Sequence, residues 1–126
     1  MQITSTAVSL TVEDVTASAA FLQRHFRYQE QMSADGFVSL GHPDGGVNVV
    51  YLRRGLEVLP EEQRHRTADG VTLAFVVEDI AAQERRLRGE GVEITLPLRE
   101  EPWGEKLFQV TDPNGVPIEL VEWVKQ

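Results

Sequence analysis

One feature limits what this chain can fold into more than any other: it repeats itself. Val12-Glu13-Asp14-Val15 returns as Val77-Glu78-Asp79-Ile80 at an offset of 65 residues. The turn His42-Pro43-Asp44-Gly45 returns as Asp112-Pro113-Asn114-Gly115 at an offset of 70. Two matched landmarks in the same order mark an internal duplication of a strand, a helix and several further strands.

In the first copy, residues 5–12 alternate as a half-buried strand, Val8, Leu10 and Val12 on one face and Ala7, Ser9 and Thr11 on the other. Asp14 is suited to cap a helix whose apolar stripe is Val15, Ala19, Leu22 and Phe26, and that stripe fits the Val8/Leu10/Val12 face. A second strand over 36–40 puts Val38 and Leu40 on one face and Phe37 and Ser39 on the other. His42 to Gly46 makes the turn and Val47 to Leu52 returns.

In the second copy, Val71 to Val77 alternates, and a helix runs through Ile80, Glu84 and Leu87 to stop by Gly91. A β-hairpin follows, with Pro113 presetting φ in its turn and Gly115 free to take φ > 0. Phe108, Val110, Ile118 and Leu120 take its core side. Trp103, read as opening a strand after Pro102, takes the other side with Leu107, Gln109, Glu119, Val121 and Trp123. The expected organisation is one α+β domain of two modules, 1–53 and 71–126, joined by a charged linker or lid over 54–70. Within that linker Arg64 and Arg66, like Arg53 and Arg54 before them, are expected to be solvated or to close on an acidic group.

Each module has one sheet with a helix on one face, so the opposite faces of the two sheets can curve together around a cleft. Its predicted floor is small: Ala7, Ser9, Thr11, Thr72, Ala74 and Val76. Its predicted walls are larger: Phe37, Ser39, Val49, Tyr51, Trp103, Leu107, Gln109, Glu119 and Trp123.

Composition narrows the chemistry. Twelve basic against twenty acidic residues give a net charge of −8, which repels phosphate backbones and argues against nucleic acid as a partner. The absence of cysteine removes disulfides, zinc–thiolate sites and a thiol nucleophile. No apolar run reaches the length of a membrane span and no secretory signal opens the chain, so a soluble, cytoplasmic protein is expected.

The duplicated Val-Glu-Asp junctions, with Trp103-Gly104, Phe108, Asp112-Pro113-Asn114-Gly115 and Ile118-Glu119-Leu120, resemble the vicinal oxygen chelate superfamily. That family includes glyoxalase I, extradiol dioxygenases, fosfomycin-modifying enzymes and bleomycin- and mitomycin-binding resistance proteins. The resemblance covers nearly the whole chain. It implies two pseudo-symmetric β-α-β-β-β modules forming a cup-shaped cleft, often completed in a homodimer.

Metal-dependent members bind a divalent ion through the first and last strands of each module. The resemblance puts those positions at Ala7, Thr72, Glu119 and either Val49 or its neighbour Asn48. Three of the four lack a good ligand, whereas a catalytic metal needs several His, Asp or Glu donors. His25 on the first helix, His42 in a turn and His65 in the linker are expected to be solvated or to form caps. What remains suits binding: indole faces stack on planar rings.

The sequence therefore predicts no metal or other cofactor. The predicted function is sequestration of a hydrophobic aromatic small molecule, an antibiotic or related natural product, as in the resistance-protein branch. Predicted ligand contacts are Phe37, Val49, Tyr51, Thr72, Trp103, Leu107, Gln109, Glu119 and Trp123. The alternative is a glyoxalase-like lyase or isomerase with Glu119 as general base.

Overall fold

The computed structural model describes residues 1–124. Two compact units divide the chain, one through Asp69 and one from Gly70. The first holds β1 (Ala7–Val12), α1 (Val15–Phe26), β2 (Gln29–Ala34), β3 (Phe37–Gly41), β4 (Asn48–Arg53) and the short α2 (Glu61–Arg64). The second holds β5 (Leu73–Val76), α3 (Ile80–Gly89), β6 (Leu96–Glu100), β7 (Glu105–Thr111) and β8 (Pro117–Trp123). The sheet orders are β1-β4-β3-β2 and β5-β8-β7-β6, the same topology twice. Among the described residues no helix is long and apolar enough to cross a membrane.

Both helices start as the repeat predicts. The Asp14 carboxylate accepts the Ala17 amide at 3.0 Å, and the Asp79 carboxylate accepts the Ala82 amide at 3.2 Å. Each cap satisfies an amide that the first helical turn leaves unpaired. At α3 a second carboxylate helps: Glu122 accepts the amides of Asp79 at 3.2 Å and Ile80 at 3.1 Å. The stripe of α1 buries Val15, Ala19, Leu22 and Phe26, joined by Ser18 and His25. His25 is thus not solvated; it lies on the stripe, edge-on to Phe21 at 5.0 Å between ring centres. Ile80 and Leu87 are the buried residues of α3.

In each unit the first strand runs parallel to the last. Leu10 pairs with Tyr51 and Val8 with Val49; Leu73 pairs with Ile118 and Phe75 with Leu120. These pairs face the helices, and Leu40, Val49, Tyr51, Phe108, Val110 and Ile118 are fully buried. Burying each such side chain stabilises the fold by roughly 1.5–3 kcal/mol. The second hairpin turns where the sequence predicts: Gly115 has φ +85°, and the buried Asp112 accepts the amides of Asn114 and Val116, both at 2.9 Å.

The phase of β4 differs from the prediction. Val49 and Tyr51 lie on the helix side, and the face away from α1 carries Asn48, Val50 and Leu52, opposite Ala7, Ser9 and Thr11. Phe37 pairs with Leu52 and Ser39 with Val50. Residues 49–52 are apolar on both faces, so alternation alone cannot choose between them. The hairpin decides: an even number of residues separates Leu40 from its partner Val49, an odd number Thr111 from Pro117.

Two strands, β2 and β6, lie at sheet edges where the residue pattern gives no strand. All six residues of β2 are exposed, so no burial alternation marks it. Between the units' strands the linker is an ordered loop. The Gly55 amide donates to the Arg64 carbonyl at 2.7 Å, and the Arg64 guanidinium donates to the Leu59 carbonyl at 2.9 Å. Arg64 therefore pins the loop, while Arg53 pairs with Asp35 at 3.0 Å and Arg54 with Glu13 at 2.8 Å on the surface.

Tyr28 closes the far side of the first unit, its hydroxyl donating to the Val47 carbonyl at 3.1 Å. Burial raises its pKa above the usual tyrosine value. The folded chain then holds the proton more tightly than the unfolded chain, so this contribution is complete below the ordinary pKa and is lost as pH climbs through the folded value. Urea melts above about pH 10 should show stability falling with pH more steeply in the native protein than in Tyr28→Phe. The β4 phase has its own check. Val49→Asp buries an unpaired charge and should cost about 4 kcal/mol or more. Val50→Asp, on the other face, should cost about 1 kcal/mol, and denaturant midpoints separate the two.

Candidate functional site

The chemistry concentrates on the face of the second sheet turned away from α3. Three successive rungs of the β7–β8 ladder cross it: Gln109 with Glu119, Leu107 with Val121, and Glu105 with Trp123. In the first rung the Gln109 side-chain amide donates from Nε2 to Glu119 Oε1 at 3.0 Å. Ala74 is the parallel partner of Glu119 on β5, and Leu96 the antiparallel partner of Gln109 on β6. The methyl group of Ala74 leaves the carboxylate uncovered on that side. Both members of the pair are half-buried.

At the far end of this face stand two exposed indoles. Trp103 is not on a strand; it sits in the turn between β6 and β7, 61% exposed, with its Nε1 donating to Glu105 Oε1 at 2.9 Å. Trp123, across the ladder from Glu105, is 53% exposed. Glu105 is the residue that sequence reading missed. Its position two residues after Trp103, in phase with Leu107 and Gln109, was the available signal.

The other predicted contacts divide. Phe37 lies on the outward face of the first sheet beside Leu52 and Val50, half-buried. Thr72 is exposed just before β5. Leu107 shares the outward face of the second sheet with the pair and is buried. Val49 and Tyr51 are corrections: both are core residues under α1, turned away from any ligand on the outward face. Residues 48, 50 and 52 take the places assigned to them.

The register also aligns the two copies. Ser9 pairs with Val50 as Ala74 pairs with Glu119, and Ser39 pairs with Val50 as Gln109 pairs with Glu119. The counterpart of Glu119 in the first unit is therefore Val50, and that of Gln109 is Ser39. A divalent metal at the family's positions does not fit these residues. Ala7 and Val50 carry no side-chain donor, Thr72 carries a hydroxyl, and one Glu119 oxygen is already engaged by Gln109. Among the described residues no group of three or more His, Asp or Glu could hold a metal ion.

A groove of about 510 Å³ lies elsewhere, on the α3 side of the second sheet, lined by Ile80, Leu98, Lys106 and Glu122 among others. Glu122 there holds the start of α3, and Lys106 lies in the ladder between Glu100 and Glu122.

Residues 3–120 match the family model described as the glyoxalase/bleomycin resistance protein/dioxygenase superfamily. The chain belongs to that superfamily. A superfamily member from Nocardioides superposes with a TM-score of 0.77 at 22% identity, over 99% of this chain and 86% of the other. Lactoylglutathione lyase from Agrobacterium tumefaciens superposes with a TM-score of 0.76 at 18% identity, over 93% and 91% of the two chains. TioX from Micromonospora sp. ML1 gives 0.73 at 22%, over 97% and 100%. At these identities the likeness establishes the fold. Curated proteins give no sequence match.

The donor set of this superfamily member carries a direct prediction. Elemental analysis of the purified protein should find divalent metal well below one ion per chain, and dialysis against chelator should leave its melting temperature unchanged. A stoichiometric ion, lost in Glu119→Ala, would contradict the misfit described above.

Proposed function

We propose that this protein binds a hydrophobic aromatic small molecule on the outward face of its second sheet and holds it without transforming it. The role proposed is sequestration or carriage of an antibiotic or related natural product. The observation that carries this reading is the pair of exposed indoles, Trp103 and Trp123, flanking Glu105 at one end of a face whose middle rung, Leu107 with Val121, is buried and whose far rung is a half-buried, hydrogen-bonded amide–carboxylate pair. Large exposed aromatics are costly in water and profitable against a planar ring, where stacking adds roughly 0.5–1.5 kcal/mol beyond burial. The bond from Trp103 Nε1 to Glu105 restricts the indole before a ligand arrives, which lowers the entropy lost on binding.

The lyase alternative makes Glu119 a general base. Abstraction of a proton needs a group to take the developing negative charge, and the ladder neighbours of Glu119 are Ala74 and Gln109. Neither is a cation. A homodimer is part of the proposal, since the edge strands β2 and β5 leave Met32 and Val76 exposed for a second copy to cover.

Titration with a panel of planar aromatic drugs should quench tryptophan fluorescence saturably, at one ligand per chain, while light scattering on the same samples gives the mass of two chains. Trp103→Ala or Trp123→Ala should weaken binding about tenfold with little change in stability, because both side chains are exposed. Absence of quenching across the panel would overturn the binding reading, and turnover of a hemithioacetal that is lost in Glu119→Gln would favour the lyase.

A further inference from the structure

The duplicated frame places Ser39 and Val50 where the second unit has Gln109 and Glu119, so the amide–carboxylate pair is a property of one copy and not of the fold. We infer that this pair is the specificity-determining element of the second sheet's outward face, selecting aromatic ligands that carry a protonated amine or another strong hydrogen-bond donor over aromatic anions. The inference deepens the binding proposal above and rests on it.

Geometry gives the pair its sign. Because Gln109 donates from Nε2 to Glu119 Oε1, its own amide oxygen is turned away from the carboxylate and remains an acceptor. A carboxylate accepts several hydrogen bonds, so engagement of one oxygen by one amide leaves capacity for a ligand donor. The tether fixes the carboxylate rather than neutralising it, since an amide brings no charge. Ala74 beside Glu119 is too small to cover it. Half-buried surroundings strengthen a charge-assisted bond relative to the same bond in water.

The rest of the face points the same way. Glu105 adds a second carboxylate two rungs along, beyond the apolar rung of Leu107 and Val121. Arg99, the ladder partner of Leu107, gives its guanidinium to Glu101. Lys106 falls on the α3 side of the sheet, between Glu100 and Glu122. The rung of Leu107 and Val121 between the two carboxylates is buried, so a planar ligand lying over it meets acceptors at both ends, and an anionic one meets two like charges.

The test uses two dyes of similar size on the full chain: proflavine, a planar acridine cation at neutral pH, and anthraquinone sulfonate, a planar anion. Calorimetry and tryptophan quenching should show proflavine binding at least about tenfold more tightly, with the gap narrowing as salt is raised. Glu119→Gln keeps the shape and removes the charge. It should reduce the preference to about two- or threefold, the remainder coming from Glu105. Gln109→Met, which removes the tether and keeps the length, should weaken proflavine severalfold without reversing the preference.

Equal affinity for the two dyes in the native protein, or a preference and salt dependence untouched by Glu119→Gln, overturns the assignment to this pair and leaves the binding proposal standing. Failure of both dyes to bind overturns both.

Discussion

The structure depends on a parallel pairing that a local hairpin cannot make: in each unit the first strand lies against the last, and the helix between them covers the join. Leu10 against Tyr51 and Phe75 against Leu120 are the contacts that express it. A parallel pair needs a crossover long enough to return the chain, and here the crossover runs through the helix and the intervening antiparallel strands. Once the pairing forms, one face of each sheet is committed to the helix, and every side chain on β4 and β8 has its side chosen. The capping aspartates fix where the helix begins, so the stripe of α1 meets the strand face that offers Leu10 and Val12.

Duplication then separates scaffold from chemistry. The helix-facing positions of the two units are alike in kind: Val49 and Tyr51 in one, Ile118 and Leu120 in the other, all buried. The outward positions at the same places have diverged, Ser39 with Val50 in one unit and Gln109 with Glu119 in the other. Core positions are held by packing, where a change of volume is felt at once. The outward positions Ser39, Val50, Gln109 and Glu119 are only half-buried and tolerate exchange at lower cost. The Glu119 carboxylate is bonded to the Gln109 amide, and its counterpart in the first unit is Val50.

Much of this was legible beforehand because it is local. The repeat, both helix caps, the apolar stripes, the Asp112–Gly115 turn and the faces of β7 and β8 follow from residue spacing, and all lie where the spacing puts them. The Gln109–Glu119 neighbourhood was legible for the same reason, since a short turn fixes which residues oppose each other. Edge strand β2 was not, because a strand exposed on both faces has no hydrophobic period to read, and in β6 the half-buried Leu96 and Leu98 flank a proline, which argues against a strand. His25 looked like a surface residue by type and is buried, since its place on the α1 stripe outweighs its polarity. Arg64 looked solvated and holds a loop through the carbonyl groups of Leu59 and Glu57.

Alone, the sequence determined that there are two related units, that a helix follows the first strand of each, and where those two helices start. Tertiary structure decided the phase of β4, and with it the removal of Val49 and Tyr51 from the outward face in favour of Val50 and Leu52. It also decided that Trp103 stands in a turn and leans on Glu105. The reason is the same in both cases: when adjacent residues are equally apolar, or when a side chain's partner lies across a turn, only the pairing of distant strands specifies which way each one points.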